Sequence, residues 1–389
     1  MTPKESVNRL KDINTPYYYY NTELLRQTLD ALNKEVAKYE NYHVHYAIKA
    51  NANPIVLKPI REAGLGIDCV SGGEIDAAIK AGFAPESIMF AGVGKTDEEI
   101  IKGLDCGIGC FNVESIPELE VINEIAMGKG KKADICLRIN PNVGAHTHTN
   151  ITTGLSENKF GIDMAHMLNV IKIAKSMEGI NFCGLHFHIG SQILDMSDFV
   201  ALSNRINEIQ DLLCQNGIEI KIIDVGGGLG IDYDEPEAHP IPQFKEYFEA
   251  YHNNLKLRPG QELHFELGRA IVAQCGSLIT KVLYVKDNTD KKFVIVDAGM
   301  TELIRPALYG AHHKIVNLTS KEAADTYDVV GPICESSDVF DTGIQLNKTQ
   351  RGDLLAILSA GAYGETMSSQ YNCRALPQSY SDEDIMAES

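Results

Sequence analysis

Eight short, β-rich apolar runs recur along the first 269 residues, alternating with stretches of helical spacing, and this alternation constrains the fold more than any other feature. The runs are His43–Ala50, Gly66–Ser71, Ser87–Val93, Gly109–Ser115, Asp134–Pro141, Asn181–Gly190, Glu219–Gly228 and Glu262–Arg269. Between them, segments such as Gly73–Ala81 and Phe199–Leu213 place apolar residues three or four apart, as one face of an amphipathic helix requires. Strands that alternate with helices form a parallel sheet, and eight units are the number that closes a (β/α)8 barrel, an α/β TIM barrel. An open, doubly wound sheet is the other arrangement the pattern permits.

Beyond Arg269 the texture changes. Lys281–Val285, Lys292–Asp297, Tyr327–Val330 and Leu354–Ser359 read as strands separated by turn residues, which predicts a mostly β domain. A strand-like run, Tyr17–Tyr20, precedes the helical segment Asn21–Tyr39 and has the spacing to join either part. The pattern divides the chain into a barrel over 21–269 and a β domain over 270–389, with 1–20 open to either. A chain of 389 residues has room for both.

Charge and cysteine usage exclude several classes. The formal net charge is −18, so a phosphate-backbone or anionic-membrane partner is not expected, since both need clustered Lys and Arg. Nine cysteines, an odd number without a CxxC, indicate neither a disulfide framework nor a zinc knuckle. Most are expected to be small core residues, as at Cys69, Cys136 and Cys183. Residues 1–20 lack the apolar segment of a signal peptide and no run of eighteen apolar residues occurs, so a cytoplasmic protein is expected.

A barrel carries its chemistry at the C-terminal ends of its strands. Read in order, those ends offer Lys49, Ser71, Ser115, Arg138 with Asn140, His188 with Ser191, Gly226–Gly228, and Glu266 with Arg269. Lys49, in YAIKAN, is either a lysine snorkelling from a strand end or an amine whose pKa is lowered by desolvation, a Schiff-base candidate. Gly226, Gly227 and Gly228 form a tight turn or a backbone cradle for an anion. Ile231 stands where a dinucleotide fingerprint needs glycine. His186 and His188 form an HxH pair, which suits a zinc-dependent barrel hydrolase or a buried structural role; His146 and His148 form a second, in a loop. Glu266 needs a cationic or hydrogen-bonding partner, which Arg269 or a protonated cofactor nitrogen would supply. In the β part, Gly331–Asp338 and Gly361–Glu365 are glycine-flanked loops with reactive side chains, and Arg305 and Tyr309 lie one helical turn apart.

Ten segments in register, YAIKAN, IDCVSGGE, FNVES, AHTHTNITTGLSENKFGI, GLHFHIGSQ, DVGGGLG, FELGR, RPALYGA, GPICESSD and GAYG, resemble the diaminopimelate decarboxylases. These belong to the fold-type III pyridoxal-phosphate enzymes, with the ornithine decarboxylases and alanine racemases. The resemblance implies an alanine racemase-like barrel plus β domain, with the N-terminal strand in the latter, and decarboxylation of meso-2,6-diaminopimelate to L-lysine and CO2. It implies that Lys49 bonds pyridoxal phosphate, that His188 stacks on the ring, and that Glu266 pairs with the ring nitrogen. Ser191, Gly226–Gly228, Gly268 and Arg269 would hold the phosphate. Arg269, Arg305, Tyr309, Glu335 and Tyr363 would contact substrate, with Tyr363 also at the cofactor. Cys334 would be the acid that protonates the α-carbon, reaching in from the second subunit of a homodimer. No metal enters this reaction. Alanine racemases place an arginine against the ring nitrogen, so Glu266 favours decarboxylation; ornithine decarboxylases typically have Asp after the cysteine, so Glu335 favours a diamino-dicarboxylate. A decarboxylase of another basic amino acid is the nearest alternative. Leu267 and Ser337 replace the family's usual proline and glycine, and the tail after Asn372 departs from the pattern.

Overall fold

The computed structural model describes residues 2–144 and 159–387, so His146, His148 and the family-like segment up to Asn158 lie outside the described residues. After the strand β1 (Tyr17–Tyr20) come β2 (Tyr42–Ala47), β3 (Gly66–Cys69), β4 (Ile88–Phe90), β5 (Cys110–Val113) and β6 (Ala133–Asn140). The two-residue β7 (Ile162–Asp163) is followed by β8 (Ile180–His186), β9 (Ile222–Asp224) and β10 (Glu262–Leu267). All except β1 and β7 form one parallel ring, in which β10 pairs with β2 and β5 with β6. The ring has no edge, which settles the sequence alternative in favour of the closed barrel.

Helices cover the outside. The helix Thr22–Val36 precedes the first barrel strand and packs against Pro54–Glu62 on one side and Phe244–Asn254 on the other, so it completes the ring. Local chemistry fixes where the helices start. Asn21, Asn53, Ser71, Thr96, Ser115 and Asp195 each accept a first-turn backbone N–H, satisfying donors that a helix cannot satisfy itself. Ser71 and Ser115, read from sequence as strand-end site residues, are therefore helix caps. A serine between a strand and a helix occupies both positions at once, and the first-turn N–H takes its oxygen.

The remaining strands are β11 (Gly276–Asp287), β12 (Lys292–Val296), β13 (Ile315–Asn317), β14 (Ala324–Val330), β15 (Val339–Asn347), β16 (Leu354–Ile357) and β17 (Gln378–Ser381). They form a second sheet in the order β13-β16-β11-β12-β14-β15. The four expected strands fall at β11, β12, β14 and β16, with Lys292–Asp297 running past Val296 and Leu354–Ser359 past Ile357; β13, β15 and β17 had no clear sequence signal. The tyrosine run β1 joins this sheet, antiparallel to β11 and parallel to β17. Both of its faces are covered, Tyr18 and Tyr20 toward the barrel core and Tyr17 and Tyr19 against Leu10 and Ile279. Each hydroxyl finds a partner: Leu10 O, Glu302 O, Ser6 Oγ and Glu365 Oε2 for Tyr17, Tyr18, Tyr19 and Tyr20 in turn.

The nine cysteines are free thiols, but Cys106, Cys214, Cys334 and Cys373 are exposed, so fewer serve as core residues than their neighbours suggested. Among the described residues no helix is long and apolar enough to cross a membrane. Barrel closure demands close backbone approach at β8. A Cβ on Gly184 would lie 1.9 Å from the carbonyl oxygen of Ile222 in β9. Gly184→Ala is expected to lower stability by about 2–3 kcal/mol through forced strand separation, read as a fall in melting temperature.

Candidate active site

The interior of the barrel is polar where aliphatic layers are usual. Asp68 on β3, Asn112 on β5, Arg138 on β6, His186 on β8, Asp224 on β9 and Glu266 on β10 all point inward and are buried. Glu266 is the hub. Its Oε1 accepts from Asn112 Nδ2 at 3.0 Å, and its Oε2 lies 3.1 Å from His186 Nε2. Burial alone would raise its pKa, but His186 and Lys49 outweigh burial and hold the carboxyl below its ordinary range. Arg269 is not its partner, contrary to the plainer sequence reading.

Asp68 and Asp224 behave oppositely. Burial, then the neighbouring Glu266 charge, pushes both well above the carboxylate range. One interior carboxylate stays charged because His186 and Asn112 serve it directly. Asp68 has no hydrogen-bond partner on either oxygen and stands 4.0 Å from Lys49 Nζ. Asp224 Oδ1 accepts the Gly226 N–H at 2.8 Å.

Lys49 lies one residue into a 3-10 turn, Ile48–Ala50, that ends β2 at the mouth of the barrel. Desolvation works against its ammonium, but Asp68, Tyr363 and Glu266 together raise its pKa. The expected lowering is thus reversed, because three acidic neighbours surround an amine that the sequence shows among apolar ones. His188 lies just beyond the end of β8, its Nδ1 accepting the Gly227 N–H at 3.3 Å. Burial, with Arg138 and Lys49 nearby, drives its pKa well down and keeps the ring neutral. Arg138 itself is paired with Glu114 at 3.0 Å.

The glycines are required by space. A Cβ on Gly226 would lie 2.6 Å from both Phe187 O and His188 Nδ1, and one on Gly227 would lie 2.1 Å from Glu266 O. Gly226 and Gly228 also have positive φ, 66° and 113°. Gly268 packs between Ala47 and Ala50, where a Cβ would meet both side chains at 3.2 Å. Beside this cradle, Arg269 donates to Ser191 Oγ at 3.1 Å and to Tyr233 OH at 2.7 Å.

A second arginine arrives from the other sheet. Arg305 opens the short helix Arg305–Tyr309, lies 6.0 Å from the Tyr309 ring, and donates from Nε to His313 Nε2 at 3.2 Å. His313 Nδ1 in turn donates to Leu358 O, which fixes the ring. Arg305 also reaches Tyr233 OH at 3.5 Å, so one phenol bridges the two arginines at the side of a cavity of about 670 Å³. Tyr363 closes the top with φ 55°, its N–H donated to Ala50 O and its ring 5.0 Å from the Arg269 guanidinium.

Lys49, His188, Ser191, Gly226–Gly228, Glu266, Gly268, Arg269, Arg305, Tyr309 and Tyr363 thus gather in one region. Cys334 and Glu335 are exposed in the loop after β14, with no hydrogen bond or ion pair to that region among the described residues. Asp338 shapes this loop by accepting the N–H groups of Met300 and Ile333. Ser337 sits there without a positive φ, so serine fits where the family pattern has glycine. Leu267 is a buried residue of β10. The HxH pair does not act as a unit: His186 groups with Asp224 and Glu266, their ligand atoms within 4.8 Å of one another, and His188 is not in that group.

Asp68, Asn112, Asp224 and Tyr233 were missed. The first three stand inside apolar strand runs, where a polar residue must either be solvated or line an interior, and that was the available signal. Tyr233, in a loop, offered none.

Residues 23–273 match the family model described as "Pyridoxal-dependent decarboxylase, pyridoxal binding domain". The diaminopimelate decarboxylase of Bacteroides thetaiotaomicron is 63% identical over 380 residues, covering 98% of each chain. That of Aquifex aeolicus is 43% identical over 362 residues, covering 92% of this chain and 84% of its own. A crystal structure of diaminopimelate decarboxylase from Helicobacter pylori complexed with L-lysine superposes with a TM-score of 0.90 at 39% identity, covering 97% of this chain and 94% of that one.

The hub makes a specific demand on Asn112. Asn112→Ala should cost about 1–3 kcal/mol in thermal melts, because Glu266 loses a buried donor. Asn112→Asp should cost more at neutral pH, with the excess shrinking as pH falls and the new carboxyl takes up a proton.

Proposed function

The chain belongs to the pyridoxal-dependent decarboxylases, and from that premise we propose which residues carry each part of the reaction. It is an amino-acid decarboxylase that uses pyridoxal phosphate to convert meso-2,6-diaminopimelate to L-lysine and CO2, the last step of lysine biosynthesis. The observation that carries the assignment is the ionised Glu266 inside the barrel, below an amine and beside a glycine cradle.

The residues present fit the cofactor. The space beside Gly226–Gly228 admits no Cβ, Arg269 and Ser191 offer donors for a phosphate, and Glu266 is a buried anion suited to a protonated ring nitrogen. When bound, pyridoxal phosphate supplies an electron sink for the pair released as the carboxylate departs. We assign Lys49 as the amine that bonds it and Glu266 as the group that keeps the proton on its ring nitrogen. Neutral His188 would hold the ring from one side without adding a charge. Because the Gly226 and Gly227 N–H groups are engaged with Asp224 and His188, phosphate contacts are assigned to Gly228, Gly268, Ser191 and Arg269.

Arg305 and Arg269, joined through Tyr233, supply positive charge for a substrate with two carboxylates, and Tyr309 and Tyr363 bound the space. We assign Glu335 to the distal ammonium and Cys334 to protonation of the α-carbon. Their exposure in one chain supports a homodimer in which each subunit completes the other's site. In that reading residues 21–269 form the cofactor-binding unit, and 1–20 with 270–389 complete the substrate site and the interface. Nine free thiols suit the reducing cytoplasm.

Lys49→Ala and Cys334→Ala should each lose most CO2 release from meso-2,6-diaminopimelate. Mixed after subunit exchange, they should recover roughly a quarter of wild-type activity, since half the dimers are mixed and each has one intact site. Absence of recovery, with exchange verified, counts against a shared site. A purified protein that stays colourless with added pyridoxal phosphate counts against the cofactor assignment altogether.

A further inference from the structure

The opposite end of the barrel holds a cluster that the decarboxylation does not use. His43 is the second residue of β2 and His264 is its register partner on β10, with Glu262 two residues before it on the same inward face. The ligand atoms of these three side chains lie within 4.8 Å of one another, beside a cavity of about 370 Å³. His264 is 8% exposed, and its Nε2 is buried without a hydrogen-bond partner.

Hydrogen bonding fixes which nitrogen of His264 carries its proton. His45 is buried, so its ring is neutral. Its Nδ1 faces the carbonyl oxygen of Ser87 at 3.2 Å, and a carbonyl can only accept, so the His45 proton is on Nδ1. His45 Nε2 is then an acceptor, and the 2.9 Å contact requires His264 Nδ1 to donate to it. The remaining nitrogen, His264 Nε2, presents a bare lone pair. It lies 3.6 Å from Glu262 Oε2. A lone pair facing a carboxylate oxygen is repulsive unless a cation lies between them. Lys221 does not fill that place, because its ammonium pairs with the other oxygen, Oε1, at 3.1 Å.

We propose that His43, Glu262 and His264 bind a divalent transition-metal ion of the zinc type across the seam between the first and last barrel strands. Two ligands held at about 2.0–2.1 Å in a tetrahedron lie about 3.3 Å apart, close to the Glu262–His264 separation. His43, exposed and with its ring centroid 5.0 Å from that of His264, stands where it can supply the third ligand. The relay from His264 through His45 to Ser87 O is the outer hydrogen bonding that orients a metal-binding imidazole. The ion clamps β2 to β10, far from the substrate, and so acts on stability.

The test uses the pyridoxal-phosphate-loaded enzyme, stripped with a chelator and titrated with zinc chloride by calorimetry, with CO2 release measured in parallel. Wild type should bind one zinc per chain at this site and gain roughly 5 °C in melting temperature. His43→Ala, which removes an exposed side chain, and Glu262→Gln should each weaken that binding at least about tenfold, abolish the thermal gain, and leave activity without metal unchanged. His239→Ala, in the exposed His239–Asp232 pair elsewhere, should change neither. Zinc affinity and thermal gain that survive in His43→Ala and Glu262→Gln, or are lost in His239→Ala, overturn the proposal, as does failure of the wild type to bind zinc.

Discussion

A carboxylate kept ionised inside a protein is expensive, with an effective penalty of several kcal/mol, and the arrangement of this barrel follows from holding Glu266 in that state. Asn112 and His186 bond its two oxygens, and Lys49 adds to the field that favours its charge. That demand displaces the usual aliphatic filling. Once polar side chains line the barrel, each brings its own requirement, and the interior becomes a set of mutually dependent groups. Asp68 and Asp224 are pushed toward their neutral forms partly because Glu266 holds the negative charge.

Geometry around the hub is set by backbone as much as by side chains. The Gly226–Gly228 turn lies so close to β10 that a Cβ on Gly227 would overlap the Glu266 carbonyl. The strand bearing the carboxylate and the loop forming the cradle are thus held at fixed separation. The second sheet is tied to the same mouth. Asn51, just past Lys49, donates from Nδ2 to both Tyr20 OH and Gly361 O, and the Tyr363 N–H reaches Ala50 O. The tyrosine run is therefore a hinge of the architecture: one face packs on the barrel while the Tyr18 and Tyr20 hydroxyls reach Glu302 and Glu365 of the β part. Tyr233 performs the corresponding task for charge, spacing two arginines that would otherwise repel.

Much of this was legible in the residues. Alternating strand and helix patterns favour parallel pairing, and eight of them are enough to close a barrel, though closure itself is seen only in the pairing of β10 with β2. Glycine triplets, a lysine at a strand end and a glutamate in an apolar strand mark positions where ordinary packing is being set aside. Misreadings arose where one residue type serves two ends. Ser71 and Ser115 lie at strand ends and are helix caps, because the first-turn N–H groups are nearer than any ligand. Asp68, Asn112 and Asp224 escaped notice because the apolar residues beside them dominate the local pattern, although their burial is the more informative fact.

The sequence by itself determined the eight alternating strand–helix units, the added strands, and the kinds of groups available: one amine, several carboxylates, imidazoles, and three arginines. Periodicity and glycine runs are local properties, and a chain displays them without folding. Only the tertiary structure decided which carboxyl carries the charge, that Lys49 is raised and not lowered, and that Tyr233 stands between Arg269 and Arg305. Protonation depends on the sum of all charges within several ångströms and on exclusion of water. Those distances join residues as far apart in sequence as Asn112 and Glu266, and they exist only once the barrel has closed.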